Sequence, residues 1–238
     1  MSYSVAATRG RPHRRRRAGN LLALPVALFV GMAVLAVFYV GYILWPRWPG
    51  AVNIDAPSLP VTVADVTFNV PPAAIRSKVQ RRPGTQERLD LVFLWPSLAP
   101  PDPNPKAAAI QPAQETDRVF LSITASEGSL PPDERAKTIY PRYLDTVASP
   151  GPDGLAVRAF RPNTPYQGED LVYDAAAAHA FVVRCTRSVK MTPGTCLYDR
   201  RIGGAEIVLR FPRDWLTDWR NVSQGIERLI ASLKSGGA

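Results

Sequence analysis

Residues 205–235 read AEIVLRFPRDWLTDWRNVSQGIERLIASLKS, a strand-like run that crosses one proline and changes its period. Residues 205–211 are dense in apolar side chains, as a buried strand is. Beyond them, Trp215, Trp219, Val222, Ile226, Leu229 and Leu233 recur at spacings of four, three, four, three and four, which lines them along one helix face. Asp214 is the expected N-cap, Lys234 suits the C-terminal end, and Gly236 and Gly237 stand where the helix should stop. Arg220, Arg228 and Lys234 are offset by Asp218 and Glu227, so the stripe reads as core packing against a sheet rather than as a lipid-binding face.

Strand-like runs also occupy residues 155–160, 170–174, 179–187 and 196–201, and such close spacing implies antiparallel neighbours. Residues 133–146 read as a helix opened by Pro131 and Pro132, with Ala136, Ile139, Tyr140, Tyr143 and Leu144 at helical spacing and an interruption at Pro141. VFLSITA at 119–125 and LDLVFLW at 89–95 suit buried central strands. Residues 61–70 alternate as a first strand, and Pro72 then opens a short helix with Ile75 and Val79 on one side. The result is an α+β domain with a mostly antiparallel sheet flanked by helices. A proline-rich loop, residues 96–117, interrupts it; its Pro100–Pro103 spacing fits a polyproline-groove reader, although solvated extended chain is the commoner role.

This order of elements resembles PsbP-like modules over residues 61–234. The likeness rests on Phe68-Asn69-Val70-Pro71, on the strand–helix passage from 119 to 144, and on Leu209-Arg210-Phe211-Pro212 before a helix ending Ile230-Ala231-Ser232-Leu233. The resemblance implies an antiparallel sheet packed between helices and a role in binding or assembly. It transfers no activity residue by residue.

At the other end, residues 21–45 form an unbroken apolar run of 25 residues, LLALPVALFVGMAVLAVFYVGYILW. At about 1.5 Å per residue such a helix crosses a hydrocarbon core of about 30 Å. Arg9, Arg11, Arg14, Arg15, Arg16 and Arg17 precede it, which predicts a cytoplasmic tail (1–20) in contact with membrane lipid and a single-pass inner-membrane topology. Tyr42, Trp45 and Trp48 mark the expected far interface, residues 46–60 a stalk, and residues 61–238 a periplasmic domain. A cleaved signal peptide is the rival reading, but its apolar region is shorter and ends in a small-x-small site. Ala23, Ala27 and Gly31 lie four apart, which permits weak homodimerisation through the span.

The net charge of +9 is concentrated in one place. Residues 1–47 hold seven of the 29 basic residues and none of the 20 acidic ones, so the remainder is nearly neutral and no nucleic-acid partner is expected. Cys185 and Cys196 bracket TRSVKMTPGT, with Pro193-Gly194 as a turn signal. In an exported domain they are expected to form a disulfide, ahead of reduced packing or a metal site with His179. The chain contains no GxSxG, HExxH, P-loop or GxGxxG motif, and neither a cofactor nor a metal is expected. These features favour a non-enzymatic interaction or assembly domain with an envelope protein partner. The alternative is an anchored hydrolase using His179 with a carboxylate.

Overall fold

The computed structural model describes residues 20–44, 53–102, 117–178, 180–188 and 193–235. Arg9, Arg11, Arg14, Arg15, Arg16, Arg17, Trp45, Trp48, His179, Gly236, Gly237 and most of the proline-rich loop lie outside the described residues. The chain divides into two units, Met1–Trp48 and Pro49–Ala238. The first contains helix α1 (Asn20–Leu44), in which Pro25–Ile43 is long and apolar enough to cross a membrane. Its described large side chains are exposed, Tyr42 to 70%.

The second unit is α+β. Strands β1 (Leu59–Val63), β2 (Val66–Val70) and β3 (Gly84–Thr85) form a small sheet in the order β2-β1-β3. Eight further strands, β4 (Arg88–Leu94), β5 (Arg118–Ala125), β6 (Ser149–Pro150), β7 (Leu155–Ala159), β8 (Glu169–Asp174), β9 (Val182–Thr186), β10 (Thr195–Ile202) and β11 (Ala205–Pro212), form one antiparallel sheet. Its order is β4-β5-β11-β10-β9-β8-β7-β6. Helix α2 (Trp219–Ser235) closes the chain.

Strand parity decides what lies where, because successive side chains point to opposite faces. Leu91, Leu121, Leu209 and Tyr198 are cross-strand neighbours on the inner face. They share one buried cluster with Val61, Val63, Phe68 and Val70 of the small sheet and with Trp219, Val222, Ile226, Leu229 and Leu233 of α2. Each large side chain taken fully from water contributes about 1.5–3 kcal/mol, so this cluster dominates stability. A second cluster of Tyr140, Leu144, Phe160 and Leu171 lies on the opposite face. Adjacent residues Leu171 and Val172 are both buried because β8 is covered on both sides.

Four local readings of the sequence are corrected. Residues 61–70 are not one strand but the hairpin β1–β2. Ala64 takes a left-handed φ of 53°, and Val63 pairs with Val66. The two-residue turn inverts parity, which is why Val61 and Val63 before it and Phe68 and Val70 after it all face the core. Ile75 and Val79 do not share a helix: separate 3-10 turns occupy Pro72–Ala74 and Lys78–Gln80, leaving Ile75 buried and Val79 77% exposed.

The helix expected at 133–146 is a succession of helical turns, Pro132–Glu134, Arg135–Ile139 and Tyr140–Arg142. Pro141 lacks the N–H that a regular helix would need there. Asp214 does not cap the final helix. It sits in the first turn of a 3-10 segment, Arg213–Asp218, which precedes α2 and has no side-chain cap.

Cys185 and Cys196 form the expected disulfide, joining directly paired residues of β9 and β10. Beside it, the buried Asp170 carboxylate accepts from Arg187 Nε at 2.8 Å and pairs with Arg213 Nη1 at 2.7 Å. Disulfide and carboxylate together fix the base of the β9–β10 loop. Replacing both cysteines by serine is expected to lower unfolding stability by about 3 kcal/mol, read by denaturant titration.

Helix α2 approaches the sheet edge most closely at Gly225. A Cβ there would stand 2.6 Å from Trp95 Cζ3, and the Trp95 ring is held by stacking on Trp215 at 5.0 Å. Gly→Ala within a helix normally gains about 1 kcal/mol. Here the rigid ring cannot give way, so Gly225→Ala is expected to destabilise by about 1–3 kcal/mol, with a lower melting temperature as the readout.

Candidate functional site

The outer face of the large sheet is only partly covered. The helical turns from Pro132 to Arg142 and the second apolar cluster lie over the β8–β9 end. On the β4-β5-β11 side, Val92, Phe120 and Arg210 form a cross-strand row, and Arg118 lies two residues from Phe120 on the same face. Phe120 is a large aromatic on the outward parity of β5, where Ser122 and Thr124 are its polar companions.

A cleft of about 330 Å³ opens at this corner, lined by Arg76, Arg118, Phe120, Thr195, Arg210 and Pro212 among others. The Arg76 guanidinium stands over the Phe120 ring, 4.9 Å from its centroid. Arg118 Nε is buried without a hydrogen-bond partner. Among the described residues, Arg76, Arg118 and Arg210 form no ion pair, and neither do Arg81, Arg82, Arg142, Arg158, Arg161 and Arg228, whereas Arg88, Arg135, Arg184, Arg187, Arg200, Arg201, Arg213 and Arg220 do. Three guanidinia without an ion pair around a half-buried aromatic make a local positive potential suited to carboxylates or other planar anions.

A second cleft, of about 270 Å³, arises from a defect in the ladder. Strands β9 and β10 pair only at Cys185–Cys196 and Arg184–Leu197, then diverge, so Val182, Arg184, Asp199 and Arg201 line a slot beneath Pro132, Ala136 and Tyr140. Its floor is an ion network. Arg135 Nη2 lies 2.5 Å from Glu206 Oε1 and 3.5 Å from Asp199 Oδ2, while Arg201 Nη2 donates to Ser129 Oγ at 2.8 Å and to Glu206 Oε2 at 3.3 Å.

The two carboxylates respond oppositely. Burial pushes the Asp199 carboxyl above its ordinary value, outweighing the attraction of Arg135 and Arg184. Burial also acts upward on Glu206, but the Ser129 hydroxyl and Arg135 hold it below its ordinary value. The Arg135 pairs tie the helical turns to β10 and β11.

The residues singled out from sequence do not gather into one site. Cys185 and Cys196 are bonded inside the core, Tyr42 is on α1, and the six tail arginines, Trp45, Trp48 and His179 are outside the described residues. Among the described residues no group of three or more His, Cys, Asp or Glu could hold a metal ion. Phe120 and Arg210 escaped sequence reading because VFLSITA and AEIVLRF scan as solid apolar runs, and Arg76 and Arg118 lie outside any motif. The available signal was parity: once Val119, Leu121 and Ile123 are taken as inward, Phe120 is an aromatic on the solvent side.

No protein-family model matches this chain, and no characterised protein matches it by sequence. Two solved structures are similar. One is Smlt3025, an immunity protein of the Stenotrophomonas maltophilia type IV secretion system, at TM-score 0.52 and 15% identity, covering 75% of this chain and 94% of that one. The other is the Neisseria meningitidis iron-regulated outer membrane lipoprotein FrpD, at TM-score 0.46 and 10% identity, covering 78% and 96%. The first likeness shows a shared fold.

The opposed carboxylates predict a pH signature. Because Glu206 is held below its ordinary value, its contribution is present above that value and fades as pH falls through the folded one. Glu206→Gln is expected to lower stability by about 1–3 kcal/mol at neutral pH, the deficit closing on acidification below the usual carboxylate range. Asp199 has the reverse sign, so Asp199→Asn should raise the melting temperature at neutral pH. Thermal melts of both variants at neutral and acid pH check the pair.

Proposed function

We propose that this protein is a non-enzymatic, single-pass inner-membrane interaction module. In this reading α1 is the anchor, the arginines of residues 1–20 hold the N-terminus in the cytoplasm against anionic lipid, and the α+β domain works in the periplasm. The observation that carries the interaction role is the outer face of β4, β5 and β11, which no described helix covers and which ends in a cleft where Arg76, Arg118 and Arg210 surround Phe120 without an ion pair to any described residue. Such a mixture of half-buried aromatic and guanidinium groups is the composition of protein contact sites.

Two further observations support the reading. The cross-strand disulfide fits an oxidising compartment, and a similar fold occurs in an immunity protein of a secretion system. The PsbP-like likeness of residues 61–234, with its binding and assembly roles, belongs to the same proposal. An envelope protein is the expected partner.

Photo-crosslinking amino acids placed at Ser122 and Val208 on the open face, and at Arg228 on the exposed side of α2, test this in cells. The expected result is a discrete cross-linked protein from Ser122 and Val208 and none from Arg228. Cross-links from Arg228 alone, or turnover of an ester, peptide or glycan by the purified chain, would contradict it.

A further inference from the structure

Resting on the interaction reading above, we infer that the Arg76–Arg118–Arg210 cleft takes the carboxylate side chains of an extended acidic segment in the protein partner. The three guanidinia converge on one cavity and, among the described residues, meet no acidic group there. Elsewhere among the described residues eight arginines are ion-paired, and Arg81, Arg158 and Arg161 donate to backbone carbonyls instead. Arg118 Nε is a buried donor with no acceptor, and a buried donor left unmatched is costly until something fills the place. Arg76 is seated on the Phe120 ring, which fixes the plane of its fork toward the cleft.

The rim distinguishes a carboxylate from a phosphate. Phosphate sites draw on free backbone N–H groups. Here the Gly194 N–H is taken by Ser188 Oγ at 3.0 Å and the Thr195 N–H by Thr186 Oγ1 at 2.9 Å, so the glycine turn at the edge cannot wrap an anion. What remains are planar side-chain forks beside apolar Phe120 and Pro212, which accept alternating acidic and apolar side chains of an extended chain lying along the sheet face.

The test uses the full-length chain in maltoside micelles and the fluorescence anisotropy of a labelled peptide of alternating Glu and Val. The tail arginines contribute a background that substitutions in the cleft leave unchanged. Arg118→Gln and Arg210→Gln are each expected to weaken the cleft-dependent binding about tenfold, which is about 1.4 kcal/mol. Arg228→Gln, exposed on α2, should leave binding as in the parent. Melting curves of each variant confirm folding, and Arg210, being exposed, is the variant least able to disturb it.

Peptide binding indifferent to both cleft substitutions would overturn the inference. So would inorganic phosphate or phosphatidylglycerol vesicles binding with dependence on Arg118 and Arg210 while the peptide does not. If either result came with intact cross-links from Ser122 and Val208, the acidic partner would be wrong and the interaction reading would stand.

Discussion

One cross-strand row, Leu91, Leu121, Leu209 and Tyr198, has to be covered, and the domain is arranged around that requirement. The cover comes from two distant parts of the chain, the β1–β2 hairpin and the final helix α2. Both are then pinned by polar contacts. Asp65 in the hairpin turn accepts from the Gly204 N–H at 2.6 Å, and Tyr198 Oη donates to Glu227 on α2 at 3.0 Å. Because one face of the sheet is consumed in this way, the other must be covered locally or left open. The helical turns cover the β8–β9 end, and no described helix covers the β4-β5-β11 end.

This division explains what could be read from the sequence. Long periodic elements were legible: the α1 run, the apolar stripe of α2 and the strands at 119–125 and 205–211 all form. Their period fixes which side chains share a face before any tertiary contact exists. Elements whose geometry depends on one residue were not. Ala64 at positive φ turns one expected strand into a hairpin, and nothing in a Val-Ala-Asp-Val sequence demands that conformation, since alanine normally avoids it. Likewise, Trp215 and Trp219 keep the spacing of one helix although Trp215 lies in a 3-10 segment before α2, because both pack against the same buried core.

The cleft was harder still to read, because no motif carries it. Arg76 comes from the turn after β2, Arg118 from the start of β5 and Arg210 from late in β11, and only the antiparallel register brings them together. The slot between β9 and β10 has the same origin in tertiary structure. There the disulfide and Asp170 hold one end of the β9–β10 pair closed, while Arg135, Asp199 and Glu206 occupy the place where the ladder opens. The slot carboxylates Asp199 and Glu206 pair with arginines of the same domain, whereas no described carboxylate pairs with the cleft arginines, and that difference is what the proposed contact role rests on.

Anchor and domain then make separate contributions. In the proposed reading the apolar helix sets location and the nearly neutral domain, with its arginine-lined corner, sets recognition. Location is the premise on which the disulfide, the envelope partner and the open face all depend. Protease added to intact spheroplasts expressing the full-length chain tests it most directly. The account predicts that the α+β domain is digested from outside, leaving a membrane-bound fragment that contains the N-terminal tail. A domain that stays protected until the membrane is lysed would contradict it.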